Sequence, residues 1–308
     1  MLRRDGTLWL NMGGGFLPNK QMDGLPWRLA LALQADGWWL RSEIIWAKPN
    51  PMPESIRDRP TKAHEQVFLL TKRGSYYYDA DAIREAHQDV NHPVINGQFV
   101  NPASAGGINS ADYEPHTQGW NGTGTKLIHR DYNPAGRNAR SVWTIPTESF
   151  AGAHFATYPT ELVRRCIAAG TSEHGVCGAC GAPWARVVER TPMEIERSGR
   201  THDLGRTRTS GTMTAAPSSR TLGWRPTCAH PETPVVPATV LDPFAGAGTT
   251  VMVALRMGRR GLGIELNPEY VAMAERRILA DHGAESFDGL RTNGHTPSAG
   301  VQGRMTGV

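Results

Sequence analysis

Short apolar runs alternate along this chain with stretches of helical spacing. Residues 7–11, Thr-Leu-Trp-Leu-Asn, predict a buried strand. Over 25–34 the apolar positions recur with a helical period and stop near Gly37, so a helix is expected there. Residues 38–46 read as a second strand, most apolar at Ile44, Ile45 and Trp46, and 64–71 as a third, turned by Lys72, Arg73 and Gly74. From about 86 to 140 the pattern fades into Asn, Gly, Pro, Ser and His. That stretch is too long for an ordinary connection and reads as a functional insertion or an unstructured segment. A helix is expected over 159–169, with Thr157 or Tyr158 near its cap and Gly170 at its end. Residues 239–241 read as a buried strand, followed by a glycine turn and a helix opening at Thr249 or Thr250. A further strand is expected over 261–265, and the polar tail beyond about Gly283 is assigned no structure. Helix and strand in alternation predict an α/β fold, with room for an antiparallel pair at the Lys72 end.

Composition narrows this only a little. The 308 residues fit one large or two small domains. With 34 glycines and 22 prolines, long loops around a modest core are expected. No stretch is apolar enough to span a membrane, and no apolar run follows Met1 to act as a signal peptide, so the expected location is cytoplasmic. The net charge of +4 and a pI near 9.0 allow a polyanionic partner without requiring one. Four cysteines in a chain this long do not suggest a disulfide scaffold.

The densest chemistry lies between residues 237 and 270. Gly246 and Gly248 let backbone approach a ligand that a side chain would block, and the helix start behind them offers free N–H groups. Glu265 ends the next strand. A carboxylate at the tip of the second strand of such a unit is placed to accept hydrogen bonds from both hydroxyls of a ribose. The turn is not Gly-x-Gly-x-x-Gly, and no P-loop lysine follows it, which disfavours dinucleotides and nucleoside triphosphates.

The string Asp242-Pro-Phe-Ala-Gly-Ala-Gly-Thr-Thr250, followed by Gly263-Ile-Glu-Leu-Asn-Pro-Glu-Tyr270, resembles the S-adenosylmethionine-binding motif of DNA amino-methyltransferases. These enzymes methylate N6 of adenine or N4 of cytosine. The likeness continues through residues 2–11, 37–49, 57–68 and 154–162, with the catalytic-side segments first and the cofactor segments last, the order of the beta class. It implies a doubly wound, mostly parallel Rossmann-like sheet. As cofactor-binding residues it implies Asp242, Phe244, Gly246, Gly248, Thr249, Thr250, Glu265, Asn267 and His154. It also implies double-stranded DNA as partner and leaves room for a cognate restriction endonuclease. The family's catalytic tetrapeptide, an Asp, Asn or Ser before Pro-Pro and an aromatic, has no counterpart, because the chain contains no Pro-Pro pair. The resemblance is therefore to a member lacking its N-terminal strand and catalytic loop. Two functions follow as expectations: transfer of a methyl group from S-adenosylmethionine to the amine of cytosine or adenine in DNA, or a truncated, non-catalytic remnant that binds cofactor or DNA only. Which base, and which recognition sequence, stay open.

Cys177-Gly-Ala-Cys180 and Cys228-Ala-His230 form a two-by-two set of metal ligands, in which the Cys-x-x-Cys knuckle is typical of zinc ribbons and Cys-x-His closes the other half less conventionally. Structural zinc, unliganded thiols and a redox pair are the three readings. Cys166 is expected in the core. Lys48, Asn50, Arg57, Arg59 and Lys62 lie on a proline-stiffened loop, 47–63, that tracks a phosphate backbone or is merely solvated. Trp38, Trp39 and Trp46 read as core rather than base-stacking residues. Tyr113, Trp120 and His129 are candidates for reading bases. The expected organisation is a catalytic-side half over 1–85, a polar recognition insertion over 86–150 and a helical segment over 151–175. A zinc-ribbon-like insert over 176–236, a cofactor half over 237–282 and a disordered tail over 283–308 follow.

Overall fold

The computed structural model describes residues 2–86, 136–149, 157–191 and 218–282, together with the backbone of the short strands Val94–Ile95, Gln98–Phe99, Glu194–Arg197, Gly211–Ala215 and Arg304–Thr306. His154, Tyr113, Trp120 and His129 lie outside the described residues. The chain divides into two compact units, Met1–Ile83 with Ala139–Arg186 and Trp224–Val308, and Arg84–Asn138 with Val187–Gly223. In the second unit, Val94–Ile95 pairs antiparallel with Gln98–Phe99, and Glu194–Arg197 with Gly211–Ala215.

The first unit contains, in chain order, β1 (Thr7–Met12), α1 (Leu25–Ala35), β2 (Trp39–Ala47), β3 (His64–Thr71), β4 (Val142–Thr144), α2 (Thr160–Gly170), β5 (Val176–Cys177), β6 (Val235–Val236), β7 (Thr239–Asp242), α3 (Thr249–Arg256), β8 (Arg260–Ile264), α4 (Pro268–His282) and β9 (Arg304–Thr306). The elements expected from apolar periodicity form within a residue or two of their expected bounds. Sequence did not suggest β4, β5, β6 or β9.

Four strands form one sheet in the order β1-β3-β2-β4. β3 runs antiparallel to both neighbours, with Leu10 opposite Phe68 and Ile44 opposite Val67, while β4 joins β2 in parallel. β3 is central, and its alternating side chains feed two cores. On one face Val67 and Leu69 meet Ile44, Trp46, Trp143, Ile145 and the α2 residues Leu162, Ala168 and Ala169. On the other, Phe68 and Leu70 pack on Ala30 of α1, flanked by Leu8, Leu10 and Leu33.

β7, β8 and β9 form a second, all-parallel sheet with α3 linking the first two strands. Val253 and Ala254 of α3 pack on Val163 and Ile167 of α2, while Val251 and Met252 pack on Ala274 and Ile278 of α4. The α/β class is borne out, and antiparallel pairing was allowed for at the Lys72 end, but among the described residues the strands form two sheets rather than one. The larger sheet has two antiparallel pairings and one parallel one. The cause is local: β2 and β3 are joined by loop 48–63, without a crossover helix, so β3 returns beside β2 in the opposite sense. Among the described residues β1 and β4 are the edge strands of the first sheet, and β7 and β9 those of the second.

Gly248 shows how tightly the second sheet's helices are set. It caps α3 at φ +74°, and a Cβ there would lie 2.8 Å from the Ala274 Cβ. Gly248→Ala should therefore combine left-handed backbone strain with a clash, destabilising the chain by on the order of 1–3 kcal/mol. Urea denaturation monitored by circular dichroism measures this, and a midpoint equal to the parent's would refute the role given to Gly248.

Candidate functional site

β7 delivers Asp242 at its last position, and a glycine turn leads from there into α3. Donors converge on this carboxylate. Oδ2 accepts the Thr250 hydroxyl at 2.6 Å and the Tyr158 hydroxyl at 2.7 Å. Oδ1 accepts the Phe244 N–H at 3.0 Å. The two hydroxyl oxygens are themselves 2.6 Å apart. Loss of water around the Tyr158 phenol, with the negative charge of Asp242 beside it, pushes its pKa well above the ordinary value. Tyr158 is thus a permanent donor, reaching β7 from just before α2.

Glu265 follows the last residue of β8 and binds two backbone amides. Its Oε2 accepts the Gly246 N–H at 2.8 Å, and its Oε1 accepts the Asn267 N–H at 2.9 Å. The carboxylate therefore joins the glycine turn after β7 to the loop after β8. A backbone bond from Ala245 N–H to the Ile264 carbonyl, 2.9 Å, runs alongside. Gly246 is buried and takes φ +51°, a conformation that suits glycine. Each Glu265 oxygen accepts one N–H, so each retains acceptor capacity for a further donor.

The remaining expected residues are placed as follows. Gly248 makes room for α4 through its missing side chain. Thr249 is buried, and its hydroxyl accepts Arg277 Nη1 at 2.7 Å; the same nitrogen reaches the Ala247 carbonyl at 3.1 Å. Thr250 belongs to the Asp242 network. Asn267 caps α4, its Oδ1 accepting the Glu269 N–H at 2.9 Å. Phe244 is 86 % exposed and stands on the surface beside the turn. Asp242, Gly246, Thr250 and Glu265 are thus gathered at two adjacent parallel strand ends.

The cysteine set also converges. Sulfur atoms of Cys177, Cys180 and Cys228 and a ring nitrogen of His230 lie within 4.8 Å of one another. The cysteines are unbridged. Cys166 packs against the core between α2 and the first sheet, as expected, and burial pushes its thiol up to about 12. In loop 48–63 three of the four cations have protein partners, while Arg57 is exposed. Lys48 Nζ pairs with Glu65 at 2.5 Å and lies over the Trp46 ring, Arg59 pairs with Glu54 at 2.7 Å, and Lys62 Nζ donates to the Gly14 carbonyl at 2.7 Å. The Asn50 side-chain Oδ1 accepts the Thr147 N–H at 3.1 Å. Trp46 is core, whereas Trp39 is half exposed.

A sequence profile described as DNA methylase, for N6 and N4 methylation, matches residues 1–178 and 237–276. The chain belongs to this DNA methylase family. The family match omits 179–236, the stretch holding Cys180, Cys228 and His230. Curated relatives include the type II methyltransferase M.Cfr9I of Citrobacter freundii, 32% identical across 91% of this chain and 67% of that protein. M.SmaI of Serratia marcescens is 31% identical across 90% of this chain and 69% of its own length. The chain thus spans about two thirds of the length of these relatives. Among solved structures, the PvuII DNA methyltransferase (cytosine-N4-specific) aligns over 90% of this chain and 64% of that one, at 15% identity and a TM-score of 0.47.

Two members of this polar cluster were not read as site residues from sequence. Sequence places Tyr158 near a helix cap within the 154–162 segment of the resemblance, without a role of its own, and Arg277 sits mid-helix in α4. The signal for Tyr158 was a phenol just before a helix with a largely apolar face, since a buried hydroxyl needs a partner. Tyr158→Phe removes that hydroxyl and leaves the ring. The expected loss is about 1.5–3 kcal/mol of stability, the range for a hydrogen bond to a charged group. A matched pair of urea titrations tests it, and coincident curves would mean that the contact to Asp242 contributes nothing.

Proposed function

We propose that this chain binds S-adenosylmethionine in the cradle formed by Asp242, Phe244, Gly246, Gly248, Thr249, Thr250, Glu265 and Asn267. The reaction it serves is transfer of a methyl group to the exocyclic amine of cytosine (N4) or adenine (N6) in double-stranded DNA. The observation that carries this reading is the joint between strand ends. Glu265 accepts from Gly246 at 2.8 Å beside an Asp242 that three donors keep in place. Two anchored carboxylates with spare lone pairs suit a ligand with a diol at one end and an ammonium at the other. Glu265 is assigned the ribose hydroxyls, and Asp242 the methionine end.

The cofactor supplies an electrophilic methyl group on a sulfonium. The chain's own contribution is to bind and orient. An exocyclic amine is a poor nucleophile because its lone pair is delocalised into the ring. Transfer therefore needs an acceptor that draws the lone pair out of the ring and aligns it with the methyl group. Cofactor contacts act on ground and transition states alike and do not replace that acceptor. Residues 1–308 contain no Pro-Pro-aromatic segment to fill this role. In this reading Lys48, Arg59 and Lys62 are engaged within the protein, which leaves the exposed Arg57 as the cation of loop 48–63 placed to meet a phosphate. Among the described residues no helix is long and apolar enough to cross a membrane. Zinc takes no part in the transfer chemistry and is proposed below as a structural ion.

Two measurements follow. Glu265→Ala should weaken S-adenosylmethionine binding by about 1.5–3 kcal/mol in calorimetry, as expected for losing hydrogen bonds to a charged group. Unchanged affinity in a folded variant would remove Glu265 from the site. In a radiolabelled-methyl assay on mixed-sequence DNA, residues 1–308 by themselves should bind cofactor yet transfer methyl groups at close to background rate. Sustained turnover would mean that another residue among them polarises the amine.

A further inference from the structure

We propose that Cys177, Cys180, Cys228 and His230 bind one zinc ion, and that this ion pins strand β6 at the foot of strand β7. The proposal is independent of which base, if any, the chain methylates. It starts from donor chemistry. Three thiols and one imidazole are a typical closed, four-coordinate zinc set, with no open position for a substrate. Their ligand atoms all lie within 4.8 Å of one another. A tetrahedral ion with zinc–sulfur bonds of about 2.3 Å spaces its ligands about 3.8 Å apart. Small side-chain adjustments close the site.

Apolar packing gives no reason for this convergence. Cys177 alone is buried, Cys180 and Cys228 are partly exposed and His230 is exposed. The two halves come from distant parts of the sequence and still meet. The knuckle around them is braced by backbone. Gly181, at φ +70°, donates its N–H to the Cys177 carbonyl at 2.7 Å, and Cys177 N–H reaches the Ala182 carbonyl at 2.8 Å. Gly178 N–H donates to the Pro234 carbonyl at 2.9 Å, and a Cβ on Gly178 would sit 2.8 Å from that same oxygen. Arg3 adds a guanidinium hydrogen bond to the Cys180 carbonyl. Thr227 donates its hydroxyl to the Pro183 carbonyl at 2.6 Å.

The role of the ion follows from what the knuckle touches. β5 and β6 pair over two residues each, Val235 opposite Cys177 and Val236 opposite Val176. Both valines of β6 are exposed. Two paired residues with little burial are far too few to hold a strand in water. Yet β6 passes directly through Pro237 and the buried Ala238 into β7, the strand that ends at Asp242. A metal ion joining residues 177 and 180 to residues 228 and 230 supplies the missing constraint, since it closes the loop just ahead of β6.

The test uses the full chain, purified under reducing conditions without chelators or a histidine tag. Plasma mass spectrometry should find about one zinc per chain, and Cys180→Ser and His230→Ala should each lose most of it. Because either variant could misfold, metal-free parent protein is also titrated with cobalt(II). Visible absorption bands of a tetrahedral thiolate site should appear and vanish when zinc is added. Absence of both copurified metal and a cobalt spectrum would overturn the site, as would a Cys177–Cys180 disulfide in the reduced preparation. For the pinning role, hydrogen exchange is compared with and without zinc. Removal should speed exchange at 235–242 by about tenfold or more while leaving α4 little changed, the pattern of local rather than global opening. Equal exchange in the two forms would refute the pinning.

Discussion

Helix α2 must serve two sheets at once, and the rest of the first unit depends on its doing so. One side of it, through Leu162, Ala168 and Ala169, completes the core over Val67 and Leu69. Another, through Val163 and Ile167, receives Val253 and Ala254 of α3. Neither sheet bonds to the other through backbone among the described residues, so apolar burial on this helix, joined by Met257 at the end of α3, carries the association. The polar end of the same helix makes the arrangement specific. Tyr158 reaches Asp242, so the packing that joins the sheets also sets the carboxylate at the end of β7.

That coupling explains why the candidate site needs so few residues of its own. Glu265 and Asp242 come from different strands, yet each is held mainly by backbone amides and neighbouring hydroxyls rather than by long charged side chains. Short donors lose little rotamer freedom when ordered. A ligand entering such a cradle meets groups that are already oriented.

Sequence made much of this visible, for identifiable reasons. Strands β1, β2 and β3 and helix α2 carry strong apolar patterns, and their bounds emerged nearly unchanged. The string from Asp242 to Thr250 and the paired cysteine spacings are local features, so they too could be read along the chain. What stayed hidden was pairing at a distance. Nothing in the alternation of β3 says whether its neighbours run parallel or antiparallel, and β4 is three residues long with only Trp143 buried. Tyr158 and Arg277 gain meaning only once α2 and α4 lie against the glycine turn. Gly248 was read as a position needing no side chain, and the protein neighbour that a Cβ would meet there is Ala274.

The contact between Gly248 and Ala274 has a bearing on redesign. The floor of the cradle and the inner face of α4 are braced against each other with no spare volume, since Ala274 is fully buried and Ile278 nearly so. Any attempt to reshape the proposed cradle from below has to treat positions 248, 274 and 278 as one unit. A bulkier residue at 274 would press on the turn that carries Gly246 and, through it, on Glu265. Changes to ligand preference are therefore better sought at the open rim, where Phe244 and Leu266 project into solvent and can be exchanged without moving the frame.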